Sequence, residues 1–83
     1  MFTIVKRREL NPTVTELCIH APLIVKKAKA GQFIIVRAKE DSERLPLTIA
    51  GFDREAGTVS IIFQVVGAGT MQLNSLKEGE AVH

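Results

Sequence analysis

Two short stretches hold the residue types that could bind and orient a small molecule. The first is Arg44-Leu45-Pro46-Leu47-Thr48-Ile49-Ala50. Leu45, Leu47 and Ile49 alternate with Pro46, Thr48 and Ala50, so as a strand the stretch has one apolar face and one small or polar face. Proline cannot donate to a β ladder, which puts Pro46 at a strand start or beside an unpaired edge. An unpaired backbone edge next to a threonine hydroxyl and a fixed guanidinium charge suits a flat, polar, anionic ligand. With no ligand, the same pattern is a strand with a starter proline and a surface arginine. The second stretch is Val65-Val66-Gly67-Ala68-Gly69-Thr70, in which a strand runs into a glycine-rich turn and then a helical segment. Two glycines let a backbone approach a ligand closely. Thr70 is placed to cap the helix, and free N–H groups at a helix start form an anion site. Gly-x-Gly-Thr lacks the third glycine of the dinucleotide fingerprint and the lysine of a P-loop. Leu73 denies Thr70 the Glu or Gln of a capping box, so an ordinary strand-to-helix turn is the other reading.

Other chemistry is poorly supplied. His20 falls at an outward strand end, and the only other histidine is His83, so no metal set forms. Cys18 is the single cysteine and reads as a small strand residue. It excludes an internal disulfide, in keeping with a reducing cytoplasm, and it excludes a cysteine-held iron–sulfur cluster. No nucleophile paired with a base is present, so no catalytic side chain is assigned.

The elements that must position the two stretches follow from periodicity. A chain of 83 residues makes one domain. Strands are expected over residues 2–10, with Phe2 and Ile4 inward; 13–20, with Thr15, Leu17 and Ile19 on one face; 32–39; 44–52; and 58–66, with Val59, Ile61, Phe63 and Val65 on one face. The third strand is apolar on both sides at Phe33-Ile34-Ile35-Val36, as where a sheet is covered on each face. Pro22 opens a short helical turn that Gly31 stops. Gly57 is the candidate for positive φ in the turn before the fifth strand. A helix over 71–77 would turn Met71, Leu73 and Leu76 to the core. Residues 81–83 begin a sixth strand. Short hairpin-like connections between five strands predict an all-β fold, a small antiparallel Greek-key barrel with one short helix after strand five.

The net charge of +2 comes with two basic clusters, Lys6-Arg7-Arg8 and Lys26-Lys27-Ala28-Lys29. Each reads as a solvated turn or edge that discourages strand aggregation rather than as a phosphate track. No apolar run approaches the roughly 18 residues of a membrane span, and the N-terminus lacks a signal peptide's layout.

Taken together, Arg-x-Pro-Leu-Thr-Ile and, about 20 residues on, Val-Val-Gly-x-Gly-Thr-x-x-Leu-x-x-Leu-Lys-x-Gly-Glu resemble the FAD-binding barrel of the ferredoxin–NADP reductase superfamily. The branch they resemble holds the electron-transfer subunit of bacterial dihydroorotate dehydrogenase and the flavoprotein subunit of NADH-dependent ferredoxin–NADP oxidoreductase. Gly31-Gln32-Phe33 matches that branch's Pro-Gly-Gln-Phe, with Ala30 in place of the proline. The resemblance implies FAD as cofactor, with the backbone of Pro46, Leu47, Thr48 and Ile49 along the isoalloxazine ring. Thr48 would lie near flavin N5, Leu47 would pack on the ring, and Arg44 would meet the pyrophosphate. Gly67, Gly69 and Thr70 would supply the phosphate turn, while Gln64, Val65 and Val66 would line the ribityl and ring side. Two departures stand out. The superfamily sets its arginine three residues before the Ser or Thr, with an aromatic just before it; here Arg44 is four before Thr48, and the preceding residue is Leu47.

The family continues past its sixth strand into a nicotinamide-binding domain and, in many members, a cysteine-rich cluster motif. The resemblance therefore implies that residues 1–83 are a truncated FAD-binding barrel domain of an oxidoreductase. The parent would carry electrons between NAD(P)H, FAD and an iron–sulfur or dehydrogenase partner subunit, and these residues alone would be inactive. No nucleic acid partner is expected, and loss of most of strand six predicts self-association. The alternative functions are a non-catalytic interaction barrel and an RNA-binding barrel. The lack of Trp and Tyr counts against the latter, because stacking platforms use such side chains.

Overall fold

The computed structural model describes residues 1–29 and 31–83. Ala30, matched above to a proline, lies outside the described residues. Six strands form: β1 (Phe2–Asn11), β2 (Val14–His20), β3 (Phe33–Val36), β4 (Leu45–Asp53), β5 (Thr58–Gln64) and β6 (Ala81–Val82). Two short helices join them, α1 (Pro22–Val25) and α2 (Ala68–Asn74). The strands make one antiparallel sheet in the order β3-β4-β5-β2-β1-β6. β1 pairs with β2 on one side and β6 on the other, and register shifts beside Val5 and Leu10 bend it between the two. The curled sheet is joined across its ends by Arg37 and His83, whose backbones exchange two hydrogen bonds of 2.9 Å. This is the small all-β barrel that the periodicity predicts.

The inward faces follow the alternation of the sequence. Leu17, Ile19, Val59, Ile61, Phe63 and Ile49 fill the centre, and Ile4 and Val82 close one end. A cavity of about 30 Å³ remains near that end, among residues that include Ile19, Ile24, Ile34, Val59 and Val82. Its wall is apolar, it opens to solvent at the barrel end, and neither Arg44 nor Thr70 lines it. Gly57 has φ +71°, as the turn chemistry requires.

Several local expectations change. Phe2 lines the cavity with Ile19, Val59 and Val82 but, at the barrel end, remains 37% exposed. β3 stops at Val36 because the Arg37 backbone turns to His83. Its outer face is uncovered, with Phe33 71% and Ile35 58% exposed, so the sheet is not packed on both sides there. α2 begins three residues earlier than its apolar spacing suggests. That shift puts Gly69, Leu73 and Leu76 toward the barrel at helical spacing, and Met71, which falls on the opposite side, is 62% exposed. Thr70 is consequently not the cap. Gly67 holds that position, and Thr70 sits in the first turn.

Candidate functional site

The start of β4 and the start of α2 meet. The register between β4 and β5 begins at Ile49↔Ile61, so residues 45–48 have partners only in β3. Ile49 N–H donates to the Gln32 carbonyl at 2.7 Å, and the Ile49 carbonyl accepts from Gly31 N–H at 3.2 Å. Backbone polar groups point to alternate sides along a strand, so those of Thr48 and Pro46 point toward β5, at or beyond the end of its register. This is how β4 accommodates a proline: its missing N–H falls on the side where no ladder runs.

Side-chain direction alternates as well. Leu45 and Ile49 are buried, and Leu47 is half-buried against the core, whereas Pro46, Thr48 and Ala50 face outward. Thr48 stands opposite Phe33 on β3. On the β5 side, one step beyond Ile49↔Ile61, the outward residue level with it is Ile62, 41% exposed. The outer face thus carries a transverse row, Phe33–Thr48–Ile62, with a hydroxyl between two exposed apolar side chains. Glu16, opposite Ile62 on β2, continues the row and pairs with Arg8 at 3.2 Å.

At the start of α2, Thr70 Oγ1 accepts the N–H groups of Val66 at 2.9 Å and Gly67 at 3.0 Å, and its hydroxyl donates to the Gly67 carbonyl at 3.1 Å. Those two N–H groups are therefore spoken for. Met71 N–H is the first to close on the helix, bonding the Gly67 carbonyl at 2.8 Å. Gly69 is buried against the segment leading into β4. A methyl there would sit 2.5 Å from Glu43 Oε2 and 2.9 Å from Leu45 Cδ2. Gly67 differs, since it is exposed with nothing within 4 Å of where its Cβ would be. Arg44 lies between Glu43 and Leu45, so its chain position is at α2's first turn. It is exposed, and among the described residues its guanidinium has no hydrogen bond or ion pair. Gln64 is outward at the end of β5, Val65 is half-buried with its N–H on the Thr13 carbonyl at 2.7 Å, and Val66 is 73% exposed.

The far end of α2 is fastened to the sheet. Arg7 Nη2 donates to the Asn74 carbonyl and to Asn74 Oδ1, both at 2.9 Å, and the buried Thr15 hydroxyl donates to the same Oδ1 at 2.7 Å. No local pattern signals this clamp, because its members are 59 and 67 residues apart. It also engages Arg7, and Arg8 is held by Glu16, so the first basic cluster is largely turned to internal use. Among the described residues no group of three or more His, Cys, Asp or Glu could hold a metal, and no helix is long and apolar enough to cross a membrane.

The fold is a curled antiparallel barrel with an open edge on its fourth strand and a glycine turn after its fifth, the arrangement that the sequence resemblance implies. The comparisons with known proteins agree. An uncharacterised Clostridium beijerinckii protein of the adh 3′ region is 50% identical over 82 residues, 99% of this chain and 28% of that protein. The Thermotoga maritima homologue of the dihydroorotate dehydrogenase B (NAD(+)) electron transfer subunit is 38% identical over 79 residues, covering 95% of this chain and 28% of its own. The Streptococcus mutans electron transfer subunit is 32% identical over 80 residues, 94% of this chain and 31% of its own. A solved structure of an NADH-dependent reduced ferredoxin–NADP oxidoreductase, described for flavin-based electron bifurcation, superposes with a TM-score of 0.93 at 36% identity, covering 99% of this chain and 30% of that one. No family model matches. The chain spans under a third of the length of these relatives.

Proposed function

We propose that this barrel binds FAD as the flavin module of an NAD(P)H-linked electron-transfer oxidoreductase. The observation that carries the proposal is the open side of β4 at Pro46 and Thr48, next to an outward hydroxyl set in an exposed apolar row. A flat ring with polar edges and apolar faces needs both. When bound, the flavin would supply hydride acceptance from NAD(P)H and single-electron transfer to an iron–sulfur partner. The chain's own residues bind and orient it. Thr48 offers its outward hydroxyl, and its backbone groups on the open β5 side, to the polar edge of the ring near N5. Pro46 leaves a carbonyl without a competing ladder donor. Leu47 and Ile49, turned inward, anchor the strand from beneath. Gln64 and Val66 border the ribityl side, while Val65 ties that strand end to residue 13.

The pyrophosphate falls to Arg44, with the open space over Gly67 giving it a close approach. Thr70 holds the turn in shape rather than donating to phosphate from Val66 and Gly67. Gly69 allows α2 to lie against β4. The Glu43 carboxylate beside Gly69 opposes an anion there and has to swing into solvent. Every strand pairing is antiparallel, so no nucleotide-binding βαβ unit occurs among the described residues. The NAD(P)H site, the partner subunit and a cytoplasmic setting belong to the remainder of a longer protein in this reading.

The test is titration of the protein with FAD, followed by absorbance. With no Trp or Tyr, the chain leaves the near-ultraviolet almost clear for the flavin. Saturable binding with shifted visible bands is expected, with no NADH oxidation by these 83 residues. Absence of binding at any attainable concentration overturns the assignment and favours the interaction barrel.

A further inference from the structure

β4 carries no aromatic: the residue before Thr48 is Leu47, and its side chain turns to the core. The neighbouring strand supplies one. The hydrogen bond from Ile49 N–H to the Gln32 carbonyl makes the next pair, Phe33 and Thr48, the narrow, non-hydrogen-bonded kind. In such pairs the Cα atoms approach to about 4.5 Å and the side chains are closest. Phe33 therefore stands beside the Thr48 hydroxyl on the same outward face, 71% exposed, with no element of the described chain lying over it. Ile62, also outward and exposed, lies across the opening between β4 and β5, one residue beyond the end of their register. Paired strands lie about 4.8 Å apart, so Phe33 and Thr48 form one contiguous support for a flat heterocycle, and the opening between β4 and β5 widens the face beyond them. Scattered exposed apolar residues need no account, but a contiguous row around one polar group is the pattern of a binding face.

We infer that Phe33 is the aromatic contact of the flavin ring, reached across the β3–β4 ladder from Thr48. The inference rests on the flavin reading above. The ring packs on Phe33 at one end and Ile62 at the other, and the Thr48 hydroxyl meets its polar edge between them. Phe33 positions the ring and takes no part in proton or electron transfer, because a phenyl group has no titratable or easily oxidised function.

The absence of Trp and Tyr from the chain makes the test one of gained signal. Indole and phenol donate an electron to excited flavin at van der Waals contact and quench its fluorescence; phenyl does not. FAD is bound to the wild-type protein, to Phe33→Trp, to Phe33→Tyr and to Leu10→Trp, a control on exposed β1. Fluorescence lifetimes are then compared at saturation. A strongly shortened lifetime in both position-33 variants, with the wild-type lifetime kept in Leu10→Trp, is expected. Phe33→Ala should also weaken FAD binding roughly two- to tenfold, the range of an aromatic stacking contact. Full binding with an unchanged lifetime in Phe33→Trp and Phe33→Tyr overturns the assignment of Phe33 and leaves the flavin reading standing. No binding by the wild-type protein overturns both. Equal quenching in Leu10→Trp shows nonspecific contact and also overturns it.

Discussion

Thr48, Arg44 and Glu43 act on different parts of one proposed ligand, so their substitutions should separate. Thr48→Ala removes one hydrogen bond at the ring, worth about 0.5–1.5 kcal/mol, or up to roughly tenfold in FAD affinity. Because the partner is the redox-active ring, the visible spectrum should shift too. Arg44→Ala removes a charge-assisted contact to phosphate, about twice as strong as a neutral one, and should weaken binding while leaving the spectrum alone. Equal affinity in both variants and wild type would sink the site. Glu43→Gln works in the opposite direction: it removes a carboxylate beside Gly69 and should tighten FAD binding by roughly 1.5- to 5-fold, the scale of a surface charge pair. The gain should shrink as salt rises, because exposed charges are screened; a salt-independent gain would point to packing instead. At this scale the sequence was partly legible. The proline, the outward threonine and the apolar alternation of β4 are local properties, and all three read correctly. The use of Gly69 was not legible, because the atoms it makes room for lie on Glu43 and Leu45, more than twenty residues away. Phe33 read as half of a two-sided apolar strand, and only the barrel's curvature shows its outer side to be bare.

At the scale of elements, α2 is the piece on which the second motif depends, and it is held at both ends. Its start rests on the Thr70 hydroxyl, which takes two N–H groups that would otherwise be unpaired. Its end rests on Asn74, which accepts from both Arg7 and the buried Thr15. Asn74→Ala leaves the Thr15 hydroxyl buried without its partner and should cost about 1–3 kcal/mol of unfolding free energy in a urea titration. Adding Thr15→Val to it should restore part of that loss, because the buried hydroxyl goes together with its acceptor. If the double variant is no more stable than Asn74→Ala, the hydroxyl is satisfied elsewhere and the clamp is misassigned. Thr70→Ala should cost about 1 kcal/mol, as for loss of a helix-start hydrogen bond. Helix existence was readable from Leu73 and Leu76, but its first turn was not. The signal for that turn is a side chain reaching back to Val66 and Gly67, and a threonine followed by no Glu or Gln gives no hint whether it sits before or inside the helix.

For the molecule as a whole, the question is what covers the outer face. The bonds between Arg37 and His83 tie the two sheet edges at one point only, so strand exchange through β6 is one route to self-association. A second cause is present. β3 is a short edge strand, paired only with β4, and it carries Phe33 and Ile35 outward and exposed. Exposed apolar edge strands recruit one another. Burying two such side chains in an encounter is favourable by about 1.5–3 kcal/mol each before the cost of association is counted, which suits a weak, concentration-dependent dimer. Sedimentation velocity across a concentration series should therefore show reversible association. The same face carries the proposed ring site, so saturating FAD should compete with it and shift the distribution toward monomer. Phe33→Ser should do so without ligand. If association persists unchanged with FAD bound and in Phe33→Ser, the contact lies elsewhere, with the β6 seam next to be examined. If association vanishes in Phe33→Ser but is untouched by bound FAD, then β3 is the interface and the ring lies away from Phe33, on the β5 side of Thr48.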